Sequence, residues 1–263
     1  MKIDYAIVSS NNDKFYLDFW KPVSRVWFYH INIKPFLVFI STRNKVTEKD
    51  HCIIHEIKEA KGIPSAFQAQ VSRLYVPSLY PNKSFVTSDI DTLPISKEYF
   101  HSTVSSAPDD SLVIFNAASY PDQARYPICF NAAKGQTFND ILDLDCEFEE
   151  FCSRLINLNL DPSGGRKGIP NWNTDELYFG KKVEEFCEKN GERVIKVPKK
   201  TIYEGPTGKL IDRYTDDKQA PYDDELVLKG HYRCAHLLRP KNYQTDRLVN
   251  LLLNNFKKQE ERG

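Results

Sequence analysis

The chain is 263 residues long, 41% hydrophobic, and carries 36 basic against 36 acidic residues. That length and apolar content suffice for one domain with a sizeable core. The cancelled charge leaves no global field to attract nucleic acid or an anionic membrane, so any anion must be held by local groups.

The chain opens Met1-Lys2-Ile3-Asp4-Tyr5-Ala6-Ile7-Val8, a short apolar run interrupted by Asp4 that lacks the form of a signal peptide. No later stretch reaches the length of a membrane span; the apolar-rich segment 27–40 is broken by His30, Asn32 and Lys34. A soluble, cytoplasmic protein is expected. The six cysteines (Cys52, Cys129, Cys146, Cys152, Cys187 and Cys234) contain no Cys-x-x-Cys pair, which excludes zinc-knuckle and thioredoxin-like spacings. Several sit in apolar patterns and predict free, buried thiols in a reducing compartment.

Tyr5–Ser9 predicts a first strand and Ser10-Asn11-Asn12 a polar turn. Asp13 then caps a helix running to about Trp20, before Pro22 interrupts it. Strands are predicted over 35–40 and 52–57. Ser65, after Pro64, opens a helix whose Phe67, Val71 and Leu74 share one face, and Pro77 ends it. Residues 84–88 form a short strand running into Asp89-Ile90-Asp91. Further strands are expected over 112–115 and 127–130, and helices over 137–144 and 148–156. Asn173 or Thr174 opens a helix with Phe179, Val183, Phe186 and Cys187 on one face, closed by Asn190-Gly191. A strand over 194–197 and a helix over 246–256 complete the chain. Strands alternating with helices, with no repeat and no flexible interdomain linker, predict an α/β domain with a mostly parallel central sheet flanked by helices. Ligands in such sheets sit beyond the carboxyl ends of the strands.

Asp89 and Asp91 stand at one such end. In an extended chain, residues two apart point to the same side, so the two carboxylates repel each other unless a cation lies between them. Hard oxygen ligands of this kind suit Mn²⁺ or Mg²⁺, and such a metal stabilises a diphosphate as a leaving group. An acidic surface turn is the plain alternative; the strand context and Thr92-Leu93-Pro94 favour the metal. Phosphatases of the haloacid-dehalogenase type also place Asp-x-Asp after an apolar strand, but they need Thr two residues beyond the second Asp. Here Thr92 follows Asp91 directly and Leu93 takes that place.

Ser88-Asp89-Ile90-Asp91-Thr92-Leu93-Pro94, preceded by a first strand, a polar turn and three more strands, resembles the metal-binding segment of GT-A-fold glycosyltransferases. The resemblance covers roughly residues 3–240, a usual size for one domain, and is nearest to small soluble enzymes of large DNA viruses and bacteria. It implies a single Rossmann-like domain over 1–263: a nucleotide-binding half over about 1–110, a sugar and acceptor half over about 111–240, and a C-terminal helix over 241–263. It also implies metal-dependent transfer from a UDP- or GDP-sugar to a hydroxyl of a glycan or glycoconjugate.

The same resemblance assigns roles. Ser9, Ser10 and Asn11 cradle the nucleotide base, although a capping turn needs the same residues. Arg73, off the apolar face of its helix, reaches the nucleotide or its phosphates, or is a solvated helix arginine. The segment Tyr126–Gly135 lines the donor sugar, with Asn131 bonding its hydroxyls; its plain reading is a strand-to-helix turn. A late histidine joins the metal, since two carboxylates leave a divalent ion short of ligands. His236, in His-Leu-Leu-Arg-Pro, is assigned, with His231 as the alternate; Arg239 or Arg233 offsets diphosphate charge.

Asn171-Trp172-Asn173-Thr174-Asp175-Glu176 resembles the Trp…Asp-Glu segment of several such enzymes. An inverting transferase needs a general base for the acceptor hydroxyl; a retaining one uses a carboxylate beneath the sugar. Asn173 and Glu176 form a capping-box-like pair that engages Glu176, so Asp175 is assigned as the base and Glu176 second. Trp172 offers a stacking face for a sugar. The glycine-rich basic segment 161–168 lacks Walker order and reads as a surface loop or a lid. Two readings compete with sugar transfer: a nucleotidyltransferase or metal-dependent phosphate hydrolase on a related sheet, and a sugar- or nucleotide-binding protein without catalysis.

Overall fold

The computed structural model describes residues 1–120, 124–164, 168–197, 209–212 and 222–260. Its main sheet has eight strands: β1 (Tyr5–Ser10), β2 (Lys34–Ser41), β3 (Lys45–Lys49), β4 (Cys52–Lys58), β5 (Ser84–Thr87), β7 (Leu112–Ile114), β8 (Asn131–Lys134) and β9 (Val194–Lys196). Their order across the sheet is β3-β4-β2-β1-β5-β8-β7-β9. The centre is parallel, β1 pairing with both β2 and β5 and β2 with β4, while β3 and β8 run against their neighbours. A second sheet joins β6 (Thr92–Pro94), β10 (Lys209–Ile211) and β11 (Tyr232–His236) in the order β10-β11-β6.

Alternation along the strands feeds two cores, one on each face. Ala6 and Val8 of β1, Leu37 of β2, Val86 of β5 and Val113 of β7 pack with Trp27, Phe100 and Phe130. Ile7, Phe36, Val38, Phe85, Leu112 and Ile114 from the same strands pack on the other face with Leu74, Phe138, Phe151 and Phe179. This is the period-two pattern of a strand buried on both sides. Helices supply the outer layers: α1 (Lys14–Leu17), α2 (Trp20–Arg25), α3 (Ser65–Tyr75), α4 (Lys97–Ser105), α5 (Gly135–Leu142), α6 (Phe148–Asn157), α7 (Thr174–Asn190), α8 (Asp224–Leu228) and α9 (Tyr243–Glu260). The expected α/β architecture is therefore the observed one. No helix among the described residues is long and apolar enough to cross a membrane, and all six cysteines are free.

Two expectations about elements need correction. Pro22 does not interrupt a helix: the break falls at Asp18 and Phe19, and Pro22 sits in the first turn of α2, where its missing N–H has no intrahelical partner to lose. The strand expected over 127–130 lies over Asn131–Lys134 instead. The carbonyls of Pro127 and Ile128 are taken by the side chains of Asn131 and Thr87, not by a neighbouring strand. Strand β3, Lys-Val-Thr-Glu-Lys, has no counterpart among the predicted strands, because an edge strand with charged, exposed residues has no apolar alternation.

The chain builds β1, β2 and β4 outward on one side, then returns to place β5 on the other side of β1. The carboxyl ends of β1 and β5 therefore flank the point where strand order reverses, where open α/β sheets leave a crevice for ligands.

Candidate active site

Strand β5 ends at Thr87, and Ser88 still donates to the Ile7 carbonyl of β1 (2.9 Å). The chain then turns, with the Thr92 amide donating to the Asp89 carbonyl (3.1 Å). Asp89 and Asp91 are thus brought together by a turn and not, as expected, by strand alternation. Ile90 is buried at 4% exposure and pins the turn to the core. Strand β11 runs antiparallel to β6, with His236 opposite Thr92, and the Leu237 amide donates to the Asp91 carbonyl (2.9 Å). The late His-Leu-Leu-Arg-Pro segment is stitched to the acidic turn by these backbone bonds.

The outcome is one cluster: ligand atoms of Asp89, Asp91 and His236 all lie within 4.8 Å of one another. Asp91 Oδ2 and His236 Nε2 are 3.8 Å apart. Two carboxylates and an imidazole suit a divalent cation that keeps several positions for water and phosphate oxygens. His231, the alternate ligand, precedes β11 and is not in the cluster.

Each carboxylate of the pair faces a guanidinium. Arg239 Nε lies 3.1 Å from Asp91 Oδ2, Nη1 donates to the Tyr16 hydroxyl, and the group stacks 4.7 Å from the Tyr16 ring centre. Arg73 is not a solvated helix arginine: it is 6% exposed and bonds the Ser88 carbonyl (3.1 Å), Asp89 and, at 3.3 Å, Asp175 Oδ2. Burial opposes its charge, but the two carboxylates outweigh that and hold its pKa above the usual value. Arg73 thereby links the acidic turn to the start of α7.

At that start the capping-box expectation fails. Asn173 makes no side-chain cap bond; its Oδ1 accepts from Arg125 Nη2 (2.9 Å) and its Nδ2 donates to Asp161 Oδ2 (2.9 Å). Glu176 pairs with Arg125, whose Nε is 2.7 Å from Oε2. Both carboxyls are thus engaged by an arginine, and they differ in exposure. Asp175 is 4% exposed and paired with Arg73, whereas the Glu176 side chain is 21% exposed. Burial, reinforced by Asp175, pushes the Glu176 carboxyl up to about 7. Burial also raises Asp175, against the pull of Arg73.

Arg125 and Asp161 were not foreseen from sequence. Asp161 Oδ2 also accepts from the Asn173 amide (2.8 Å), so the loop before α7 clamps the helix start. Gly180, one turn beyond Glu176, lets the backbone at Ala124 and Arg125 lie against α7; a Cβ there would run into the Ala124 carbonyl and Arg125 Cα. Gly180→Ala is expected to cost about 1–3 kcal/mol of stability by overpacking and to loosen the Arg125–Glu176 pair. Thermal unfolding alongside the pH–rate profile checks both, and an unchanged melting temperature would contradict it.

The remaining predicted residues fall as follows. Ser9 and Ser10 end β1 at the crevice and Asn11 follows in the turn; Asn11 Nδ2 donates to Ser65 Oγ (3.0 Å), tying the turn to the start of α3. Asn131 is fully buried, and its amide donates to the Pro127 and Ile128 carbonyls (2.8 and 2.9 Å). It holds the inner wall and does not present its amide at the surface, contrary to its expected sugar contact. Trp172 is half-buried beside α3, its carbonyl accepting from Gln70 (3.2 Å). Residues 165–167 of the glycine-rich segment lie outside the described residues.

No protein-family model matches the sequence, and no curated protein sequence matches it. In three dimensions the chain is similar to the galactosyltransferase LgtC, solved with donor and acceptor sugar analogues. Identity is 10% and the TM-score 0.50, with 94% of this chain and 95% of LgtC covered. It is also similar to the glycosyltransferase GlyE of Streptococcus pneumoniae TIGR4, at 8% identity and a TM-score of 0.50, with 99% of this chain and 64% of GlyE covered. At such identities the likeness establishes the fold, which is GT-A-like, as the acidic turn and the order of elements implied.

Proposed function

We propose that this protein is a divalent-metal-dependent glycosyltransferase that moves a sugar from a nucleoside-diphosphate sugar to an acceptor hydroxyl. The observation that carries this reading is the convergence of Asp89, Asp91 and His236 within 4.8 Å at the crevice of a GT-A-like sheet. Asp89, Asp91 and His236 would hold Mn²⁺ or Mg²⁺ there, and such an ion would supply positive charge to offset the diphosphate leaving group. Ser9 and Asn11, at the end of β1, are assigned to the base of a UDP- or GDP-sugar, within a nucleotide-binding half over about 1–110. The half over about 111–240 is assigned to the sugar and to a glycan or glycoconjugate acceptor.

Asp175 shares Arg73 with Asp89, which supports a place on the donor side, where a buried carboxylate stabilises positive charge developing on the sugar. Glu176 is the better base. It is the more exposed of the pair, and a group titrating near 7 both accepts a proton and is ionised at neutral pH. Removal of the acceptor proton by Glu176 during attack implies inversion at the anomeric carbon. The burial of Asp175 against Arg73 favours a second reading, in which that carboxylate guards one face of the sugar and configuration is retained. NMR of the product's anomeric centre separates the two.

The central test is incubation with a panel of UDP- and GDP-sugars, Mn²⁺ and glycan acceptors, measuring nucleoside diphosphate release. Failure to bind or turn over any donor would sink the reading, while phosphate release or nucleoside triphosphate activation without sugar transfer would indicate the competing enzyme classes. For pH, the sign follows from the base being active only when ionised. The rate is expected to climb about tenfold per pH unit below roughly 7 and to level off above it. Glu176→Gln should abolish that limb together with most turnover, and a wild-type profile flat from pH 5 to 8 would remove Glu176 from the role.

A further inference from the structure

The oxygen of Asp91 that faces His236 is already taken. Asp91 Oδ2 lies 3.8 Å from His236 Nε2 and 3.1 Å from Arg239 Nε. A cation bridging Asp91 and His236 would therefore share that oxygen with a guanidinium at close quarters, and like charges a few ångströms apart in a poorly solvated site repel strongly. Both partners are shielded from water: the Asp91 side chain is 6% exposed and that of Arg239 12%. Arg239 is anchored away from the sheet, through the Tyr16 hydroxyl and ring on the four-residue helix α1. Asp89 is in a parallel position, paired with Arg73.

We infer that Arg239 is a resident counter-cation of the metal site, holding Asp91 when no metal is bound and passing to the diphosphate when metal and nucleotide enter together. This rests on the metal reading proposed above. It has a consequence that a bare Asp-Asp-His site does not. Metal alone must displace a guanidinium and leave it uncompensated, whereas metal accompanied by a diphosphate gives Arg239 a new anion to bind. Metal and nucleoside diphosphate therefore bind with strong positive coupling, and by linkage each tightens the other equally. Arg239 sets the size of that coupling, and Tyr16 steadies it in the metal-free position.

The experiment measures Mn²⁺ binding to the full chain by the electron paramagnetic resonance signal of free Mn²⁺, alone and with UDP or GDP. Wild type is expected to bind Mn²⁺ weakly alone and at least about tenfold more tightly with the preferred diphosphate. Arg239→Gln, which removes the charge, is expected to bind Mn²⁺ alone at least about fivefold more tightly than wild type and to gain less from the diphosphate. Arg239→Lys retains a cation and should stay within about twofold of wild type without nucleotide. If wild type binds Mn²⁺ with a diphosphate but Arg239→Gln is no tighter than wild type without one, the inference is overturned and the glycosyltransferase reading stands. If wild type binds no Mn²⁺ under either condition, both fall. Should Arg239→Gln not fold, as judged by thermal unfolding, Tyr16→Phe decides: it frees one anchor of Arg239 and must shift Mn²⁺ affinity in the same, tighter direction, and no shift overturns the proposal.

Discussion

Asp91→Asn is expected to reduce Mn²⁺-dependent turnover by about 10²-fold or more, the scale on which loss of one stabilising group at a developing charge is felt. The substitution keeps volume and removes charge. Asp91 is 4% exposed, its backbone carbonyl holds Leu237, and its side chain faces both His236 and Arg239. The amide leaves the backbone stitch between the acidic turn and β11 intact, so the fold survives while the metal loses an anionic ligand. Asp89→Asn should be milder in stability terms, because the Asp89 side chain is 38% exposed. Nucleoside diphosphate release, Mn²⁺ binding and thermal unfolding, measured together, separate the causes. Unchanged turnover with unchanged Mn²⁺ binding in Asp91→Asn would show that the acidic turn is only a turn.

The sequence exposed those parts of the site that are local in the chain. Asp-Ile-Asp after a buried strand, the helix opening at Thr174 and the alternation of elements are patterns within a few residues, and they predict an acidic crevice in an α/β sheet. Even there a turn between Asp89 and Thr92, not extended geometry, brings the two carboxylates together. The roles that shifted depend on partners remote in sequence. Arg73 meets Asp175 across 102 positions and Arg125 meets Glu176 across 51, and no periodicity carries that information. Asn173 and Glu176 look like a capping pair within the helix, whereas both side chains are engaged by Arg125 arriving from outside it. Asn131 misled for a related reason: a polar residue beside small ones looks like a ligand contact until the carbonyls of Pro127 and Ile128 are seen to need its amide.

That remote pairing leads to the second large expectation. Arg73→Ala should destabilise the protein by about 3–5 kcal/mol, the usual cost of stripping one partner from a buried ion pair. Arg73 is 6% exposed and the side chain of Asp175 5%, so bulk water does not replace the guanidinium at Asp175. At about 2–4 °C per kcal/mol for a chain of this size, the melting temperature should fall by roughly 10 °C. Arg73→Lys is expected to recover only part of this, because one ammonium cannot reach the Ser88 carbonyl, Asp89 and Asp175 as the planar fork does. The decisive comparison is the double substitution. If the loss comes from an orphaned buried carboxylate, Asp175→Asn added to Arg73→Ala should be less costly than the sum of the single changes by at least about 1 kcal/mol, a coupling expected for groups in direct contact. Additive losses, or an Arg73→Ala protein within about 1 kcal/mol of wild type, would mean that Arg73 fills space at the base of the crevice without tying the acidic turn to α7. Coupling of the expected size would mean that the element bearing Asp175 and Glu176 is held in register with Asp89 by one side chain, so that displacement of either end is felt at the other.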